Sequence, residues 1–431
     1  MNIENDAKLD YCDVLLVPQR SKLPSRSHVC LERTYSFPHC PHQLNCVGVI
    51  AANMDTVGTF DMAKEFYKHK MLVALHKHYS VDELHDFFKD KKYWSTAFVT
   101  VGTSIQDEEK LDALTTRVLN DNPNEIFPRL LCIDIANGYS EHFTDKLKSY
   151  RKKYPDTIIM AGNVCTSNMA EELIMSGADI AKIGIGPGSV CTTRVKTGVG
   201  YPQLSASSEC SYAAHGLRGQ VCADGGITCA GDMSKAFAVG ADFVMVGSMI
   251  AGTDECEGEF VYEYSKNIPY ETLPKLLLLY DLFKDSDLDY NSPESRYLYS
   301  WKYKYEHVLD LDVQGFLYHH GLDSGCLVKD FIGAIEDNVI VKKFKYYGMS
   351  SFQAQEKHTG EIKSHRTAEG KVVTIDAKGP VENIIQDILG GVRSTCTYVG
   401  AQKIKDLPKC AKFVKVNRTH NTVYGDNWKK S

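Results

Sequence analysis

No run of 18 apolar residues occurs in this 431-residue chain, so it lacks the length of apolar sequence that a membrane-spanning helix requires. The opening MNIENDAKLDY lacks the basic and apolar stretches of a secretory leader, and a cytoplasmic protein is expected. Its 14 cysteines would then be thiols, and none belongs to a CxxC pair of the kind zinc sites use. His39, Cys40, His42 and Cys46 cluster, but their spacing matches no standard metal site. Positive charge is not in excess either. A net charge of −6 argues against broad nucleic-acid or membrane-surface binding, so a phosphate ligand would have to be met by a local site. Low-complexity tracts are missing too, which leaves an ordinary globular composition, 43% apolar and 24% charged.

What is present is a rhythm. Apolar, β-branched runs recur at 47–55, 72–76, 97–102, 130–138, 158–164, 180–186, 221–226 and 243–249. Helical spacing fills most gaps: Met169, Leu173 and Ile174 share a face before the C-cap candidate Gly177, and Met233, Ala236 and Phe237 do so before Gly240. Eight alternating units with nearly continuous apolar strands predict an α/β fold, a (β/α)8 TIM barrel around a parallel sheet. A doubly wound sheet would be expected to carry GxGxxG after an early strand, and that motif is absent.

Polar residues punctuate the strand ends: Asn53 and Asp55, His76 and Lys77, Asp134 and Asn137, Asn163, Asp224 and Gly247. In a barrel that rim builds the active site. Asp224-Gly225-Gly226 and Gly247-Ser248 follow the last two strands, where backbone amides of barrels often bind phosphate, so a phosphorylated ligand is expected. Residues 1–46 read as an N-terminal arm, in which LDYCDVLLVP is a short strand ended by Pro18. Residues 47–261 and 346–431 read as the barrel, and 262–345, rich in tyrosine, as an insertion in the last βα connection forming a small subdomain. Within it, Leu273 to Phe283 and Ser295 to Val308 are helix candidates; another helix is expected from Pro380 to Leu389, running into GGVRSTCTYVGA.

The sharpest local signal is IGIGPGSVCTTRVKTGVGYP, Ile183 to Pro202, where an apolar run ends in a glycine-rich turn presenting Cys191. An ordinary thiol, with a pKa of about 8.5, is only slightly ionised at neutral pH. A nucleophilic Cys191 would need help from local amides, Arg194 or a bound cation.

These segments, together with NMDTVGTF, HKHYS, DIANGYSEHF, MAGNV, YGMSS and DILGGVRSTCTYVGA, resemble GMP reductases, within the IMP dehydrogenase/GMP reductase family. The resemblance implies NADPH-dependent reductive deamination of GMP to IMP and ammonia through a thioimidate on Cys191, with Thr193 and Glu369 handling the proton of the departing amine. It implies GMP against Ser189, Asp224, Gly225, Gly226, Gly247, Ser248, Gly348, Met349, Ser350, Arg366 and Gly370. The implied NADPH contacts are Ser25, Arg26, Lys77, Asp134, Ile135, Ala136, Ile185, Gly186, Met349, Ser394, Thr395, Cys396 and Thr397. A potassium ion is implied on carbonyls of Gly186, Gly188 and Cys191 near Arg194, and the assembly implied is a homotetramer. Ala368, Ser248 and His365 depart from the usual family residues. Two rival readings are an IMP dehydrogenase and a catalytically silent nucleotide-binding regulator. CTTRVKTGVG differs from the CITQE-type loop of the former, and only about twenty residues separate the second and third strands of this chain, leaving no room for that family's usual pair of CBS modules; the retained Cys191, Thr193 and Glu369 speak against the latter.

Overall fold

The computed structural model describes residues 3–264, 340–359 and 367–417. The expected helices in 273–283 and 295–308, and the residues His365 and Arg366, lie outside the described residues. Two compact units are formed: 1–258 with 346–373 and 378–431, and 259–345 with 374–377.

In the first unit, strand β1 (Val14–Leu16) and the hairpin β2 (Glu32–Tyr35) and β3 (Leu44–Val47) precede eight barrel strands. These are β4 (Val49–Ala51), β5 (Leu72–Ala74), β6 (Ala97–Val101), β7 (Leu130–Asp134), β8 (Ile158–Val164), β9 (Ile180–Ile183), β10 (Gln220–Asp224) and β11 (Phe243–Val246). All eight pair in parallel, and β11 pairs back onto β4 to close the barrel. The intervening helices are α1 (Phe60–Lys68), α2 (Val81–Phe88), α3 (Ile105–Asp121), α4 (Glu141–Lys153), α5 (Ser167–Met175), the short α6 (Thr193–Thr197), α7 (Gln203–Gly216) and α8 (Ala230–Ala238). Hydroxyls start several of them: Thr59, Ser80, Ser104 and Ser140 each accept a hydrogen bond from a first-turn amide, with Glu83 and Asp107 completing capping boxes.

The ends of α5 and α8 are built alike. Gly177 and Gly240 have φ of +114° and +111°, and the next alanine donates its amide back into the helix, Ala178 to Leu173 and Ala241 to Ala236. The aspartate that follows then accepts from a neighbouring strand: Asp179 from Ile159 N at 2.9 Å and Asp242 from Val221 N at 2.9 Å. Arg151 and Arg33 balance these two buried charges. The hairpin β2–β3 belongs to this end of the barrel, where Tyr35, Leu44 and Cys46 join Ile50, Phe98 and Phe243 in one buried cluster. Tyr35 stacks on Phe243 with centroids 4.4 Å apart and donates to Asp242 O at 2.9 Å. The N-terminal arm is thus packed structure rather than a loose tail, and β1 also pairs antiparallel with Phe413–Lys415.

In the second unit, β12 (Phe260–Tyr264) runs antiparallel to β13 (Ile340–Tyr347), and β14 (Val372–Asp376) completes a three-stranded sheet. The first unit also holds α9 (Phe352–Thr359), which follows β13, and α10 (Val381–Val399). Helix α10 does not stop near Leu389 but continues through Gly390 and Gly391. The reason is packing against α8: a Cβ on Gly391 would collide with the Cβ of Ala230, so this glycine permits close helix contact rather than ending a helix. The final strand, β15 (Phe413–Lys415), is the partner of β1. Among the described residues no helix is long and apolar enough to cross a membrane.

Candidate active site

Strand β9 is buried throughout, and the chain leaves it at Gly184, whose φ of +154° lets it lie against the carbonyl of Asp224 where a Cβ would clash. The loop then turns back so that Cys191 N donates to Gly188 O at 3.0 Å. A distant segment lies alongside it: Cys191 bridges to Gly370, Thr192 N donates to Glu369 O at 2.7 Å, and Lys371 N donates to Val190 O at 2.9 Å. This pairing delivers Glu369. Its Oε2 accepts from Thr193 Oγ1 at 2.6 Å, and Thr193 Oγ1 lies 3.2 Å from Cys191 Sγ. A hydroxyl has one proton and an ionised carboxylate only accepts, so with Thr193 donating to Glu369 the thiol donates to Thr193. The half-buried Cys191 therefore stands at the head of a thiol, hydroxyl and carboxylate chain.

These three groups face a cavity of about 830 Å³ at the C-terminal rim. Of the residues expected to hold nucleotide, Ser189, Asp224, Gly225, Gly226, Gly247, Ser248, Gly348, Met349 and Ser350 all line it. Gly225 and Gly226, at φ of +92° and +78°, form the turn after β10, and Lys378 Nζ donates to Ser248 O and Met249 O at 2.8 Å each, fixing the turn after β11.

Sequence reading overlooked the side chain at the centre of the floor, Lys182. It is 3% exposed, and its Nζ donates to Asp134 Oδ1 (2.7 Å), Asn163 Oδ1 (2.7 Å) and Asp224 Oδ2 (2.6 Å). Burial alone would push its pKa down, but the two carboxylates outweigh that and hold it well above the ordinary lysine value. Burial likewise works to raise Asp134, and Lys182 overcomes it, leaving this carboxyl below the usual range. The available signal was a lysine inside an apolar strand, two residues after the core residue Ile180 and so on the same inward face.

A second overlooked hub is Asp55, noted only as a strand-end residue. It is buried, and its Oδ2 accepts from Tyr347 Oη (2.7 Å), Lys357 Nζ (2.9 Å) and His358 Nε2 (2.7 Å). Burial opposes its ionisation, and these three donors prevail, so its pKa is lowered. Asp55 N also donates to Met349 Sδ at 3.4 Å. Helix α9, which follows Gly348-Met349-Ser350, is thereby tied to the end of β4. His358 in turn stacks on His78 at 3.4 Å between centroids.

The expected cofactor residues fall into two places. Lys77, Asp134, Ile135, Ala136, Ile185, Gly186 and Met349 line the cavity, whereas Ser25, Arg26 and Ser394 to Thr397 do not. The latter sit together, because α10 packs against the turn Arg26–His28. Cys396 is fully buried there, and the hydroxyls of Ser394, Thr395 and Thr397 bond to carbonyls one turn earlier. Gly186 lies on the cavity wall with φ of +84°, packed against Arg194, which donates to Asp10 Oδ2 (3.1 Å) and Tyr201 O (2.6 Å). Gly186, Gly188 and Cys191 share the loop and offer it backbone carbonyls, hard oxygen donors of the type an alkali cation takes.

A closed parallel barrel whose C-terminal rim joins a thiol, a hydroxyl and a carboxylate over a nucleotide-sized cavity is that of a TIM-barrel enzyme. The family model described as IMP dehydrogenase / GMP reductase domain matches residues 8–270 and 335–423. The chain is 44% identical over 427 residues to a GMP reductase of Photobacterium profundum, covering 99% of each chain. It is 43% identical over 424 residues to GMP reductase 1 of Mus musculus and 44% over 423 residues to GMP reductase 1 of Homo sapiens, in both cases covering 98% of this chain and 99% of the relative. The chain belongs to the IMP dehydrogenase/GMP reductase family.

Proposed function

We propose that this enzyme reduces GMP with NADPH, giving IMP, NADP+ and ammonium, by way of a thioimidate on Cys191. The observation that carries the reading is the hydrogen-bonded sequence Cys191, Thr193, Glu369. Glu369 draws the thiol proton through Thr193, and the sulfur attacks C2 of the purine. The same relay returns a proton to the 2-amino group, which leaves as ammonia while the C–N bond breaks. NADPH, when bound, would supply a hydride to C2; the sulfur then departs as a thiolate and takes a proton from solvent, restoring the thiol. Thus one carbon–sulfur bond is formed and broken, and the purine gains hydrogen where it lost an amine. GMP would lie against the turns at Ser189, Asp224 to Gly226, Gly247-Ser248 and Gly348 to Ser350, with Gly370 and Arg366 nearby in sequence to Glu369.

The cavity size and its two sets of lining residues suit a nucleotide beside a nicotinamide. Ser25, Arg26 and Ser394 to Thr397, which do not line this cavity, would serve the cofactor of a neighbouring protomer in a homotetramer. Carbonyls of Gly186, Gly188 and Cys191 would hold potassium and steady the loop. Cysteines kept free among the described residues suit the cytosol. The activity named for the relatives separates this reading from IMP dehydrogenase, and so does one assay: NADPH absorbance must fall when GMP is added, with IMP and ammonia formed in equal amounts. NADP+ or NAD+ reduction with IMP and water, giving no ammonia chemistry, would overturn it.

A further inference from the structure

We infer that Lys182 is a positioning residue that couples the two halves of the cavity, holding the nucleotide-side carboxylate of Asp224 and the cofactor-side carboxylate of Asp134 on a single ammonium; the inference rests on the reading of the reaction above. An ammonium has three N–H donors, and here each has an acceptor on a different barrel strand: Asp134 ends β7, Asn163 lies on β8 and Asp224 ends β10. Asn163 closes the ring, its Nδ2 donating to Asp224 Oδ2 at 2.8 Å and to Gly184 O at 2.7 Å. Asp224 thus commits Oδ2 to two protein donors. Its other oxygen accepts no hydrogen bond among the described residues, although Asp224 lines the cavity.

The order of the chain makes this network a link rather than a plug. Asp134 leads directly into Ile135 and Ala136, and Asp224 leads into Gly225 and Gly226, so one buried side chain fixes the first residue of both turns. Both acids lie within 2.7 Å of the same nitrogen. Without the ammonium they would face each other with only the less direct attraction of Lys77 on Asp134, and the cheapest relief is for one of them to take up a proton. That relief is lost as pH rises: once both are ionised their repulsion turns them apart, so nucleotide and cofactor binding would weaken together, and both would become pH-dependent. A residue that merely filled space would lower stability without coupling the ligands or adding a titration.

The test uses the full-length enzyme with Lys182→Met, and Lys182→Gln as a second variant that keeps a hydrogen-bond donor in case the first fails to fold. Calorimetric GMP binding, the KM for NADPH and kcat are measured between about pH 6.5 and 9. We expect Lys182→Met to weaken GMP binding about tenfold or more and to raise the KM for NADPH with a smaller effect on kcat. Relative to the wild type, its GMP affinity should fall as pH rises and the second carboxylate ionises. Adding Asp134→Asn to Lys182→Met should remove that pH dependence and recover part of the GMP affinity. Folded variants with both constants within about twofold of the wild type, or with an unchanged pH profile, overturn the inference. A wild type that neither binds GMP nor consumes NADPH with it would instead sink the reading of the reaction, and the role of Lys182 with it.

Discussion

Thr193 and Glu369 are separated by 176 residues in the chain, yet their side chains meet at 2.6 Å, and the same hydroxyl is 3.2 Å from the thiol of Cys191. The relay takes the thiol proton in either direction of reaction, but only ammonia release also needs it to deliver a proton to the departing amine, so Thr193→Val and Glu369→Gln should slow ammonia release more than hydride transfer. We expect kcat for GMP reduction to drop by about 10² to 10⁴. Oxidation of IMP by NADP+ to the enzyme-bound thioimidate, followed without ammonia, should fall less. Equal losses in the two reactions would show that the pair activates the thiol or positions substrate and does not protonate the amine.

Acid should loosen the attachment of α9 in a defined order. Burial first, and then the neighbouring His358, His76 and Lys77, push His78 from 6.5 down to about 3, with Asp55 pulling weakly the other way. The folded state thus keeps His78 neutral where the unfolded chain takes up a proton, so stability is full above about pH 6.5 and declines as pH falls toward 3. Asp55, with a lowered pKa, adds stability above the unfolded carboxylate value that is lost only as pH falls through its folded one. Melting temperatures across pH should show His78→Phe with a shallower decline from pH 6.5 than the wild type. Parallel curves would refute the assignment to His78.

Packing at Gly391 is open to a simpler test. Gly391→Leu places a side chain against Ala230 and should lower stability by about 1–3 kcal/mol, read as a reduced melting temperature, with the secondary structure retained. A gain in stability, as expected of an exposed helical glycine, would mean that the close contact between α8 and α10 is not required.

The eight strands close without any contribution from 262–345, and the family match is interrupted between 270 and 335. We therefore expect that replacing roughly 268–338 with a short Gly/Ser linker leaves a soluble reductase with an altered KM or assembly state. Insoluble protein, or a folded barrel without activity, would place the segment in the catalytic core.

The barrel was legible because each strand is an apolar run ending in polar residues, a pattern that survives in one dimension. So was the Cys191 turn, whose glycines announce a close approach. Lys182 was not: in Ile180–Ile183 it reads as an interruption, and its three partners come from strands whose adjacency only barrel closure creates. Asp55 was hidden in the same way, since Tyr347, Lys357 and His358 lie some 300 positions away. Gly390-Gly391 misled because a glycine that ends a helix and one that admits a neighbouring helix look alike in sequence.

The central claim is that Cys191 is the nucleophile, while the phosphate and base are held by other loops. The most direct measurement pairs isothermal titration of GMP with the NADPH assay on Cys191→Ala. The account predicts GMP affinity close to the wild type and no measurable turnover; turnover above about a thousandth of the wild-type rate would contradict it.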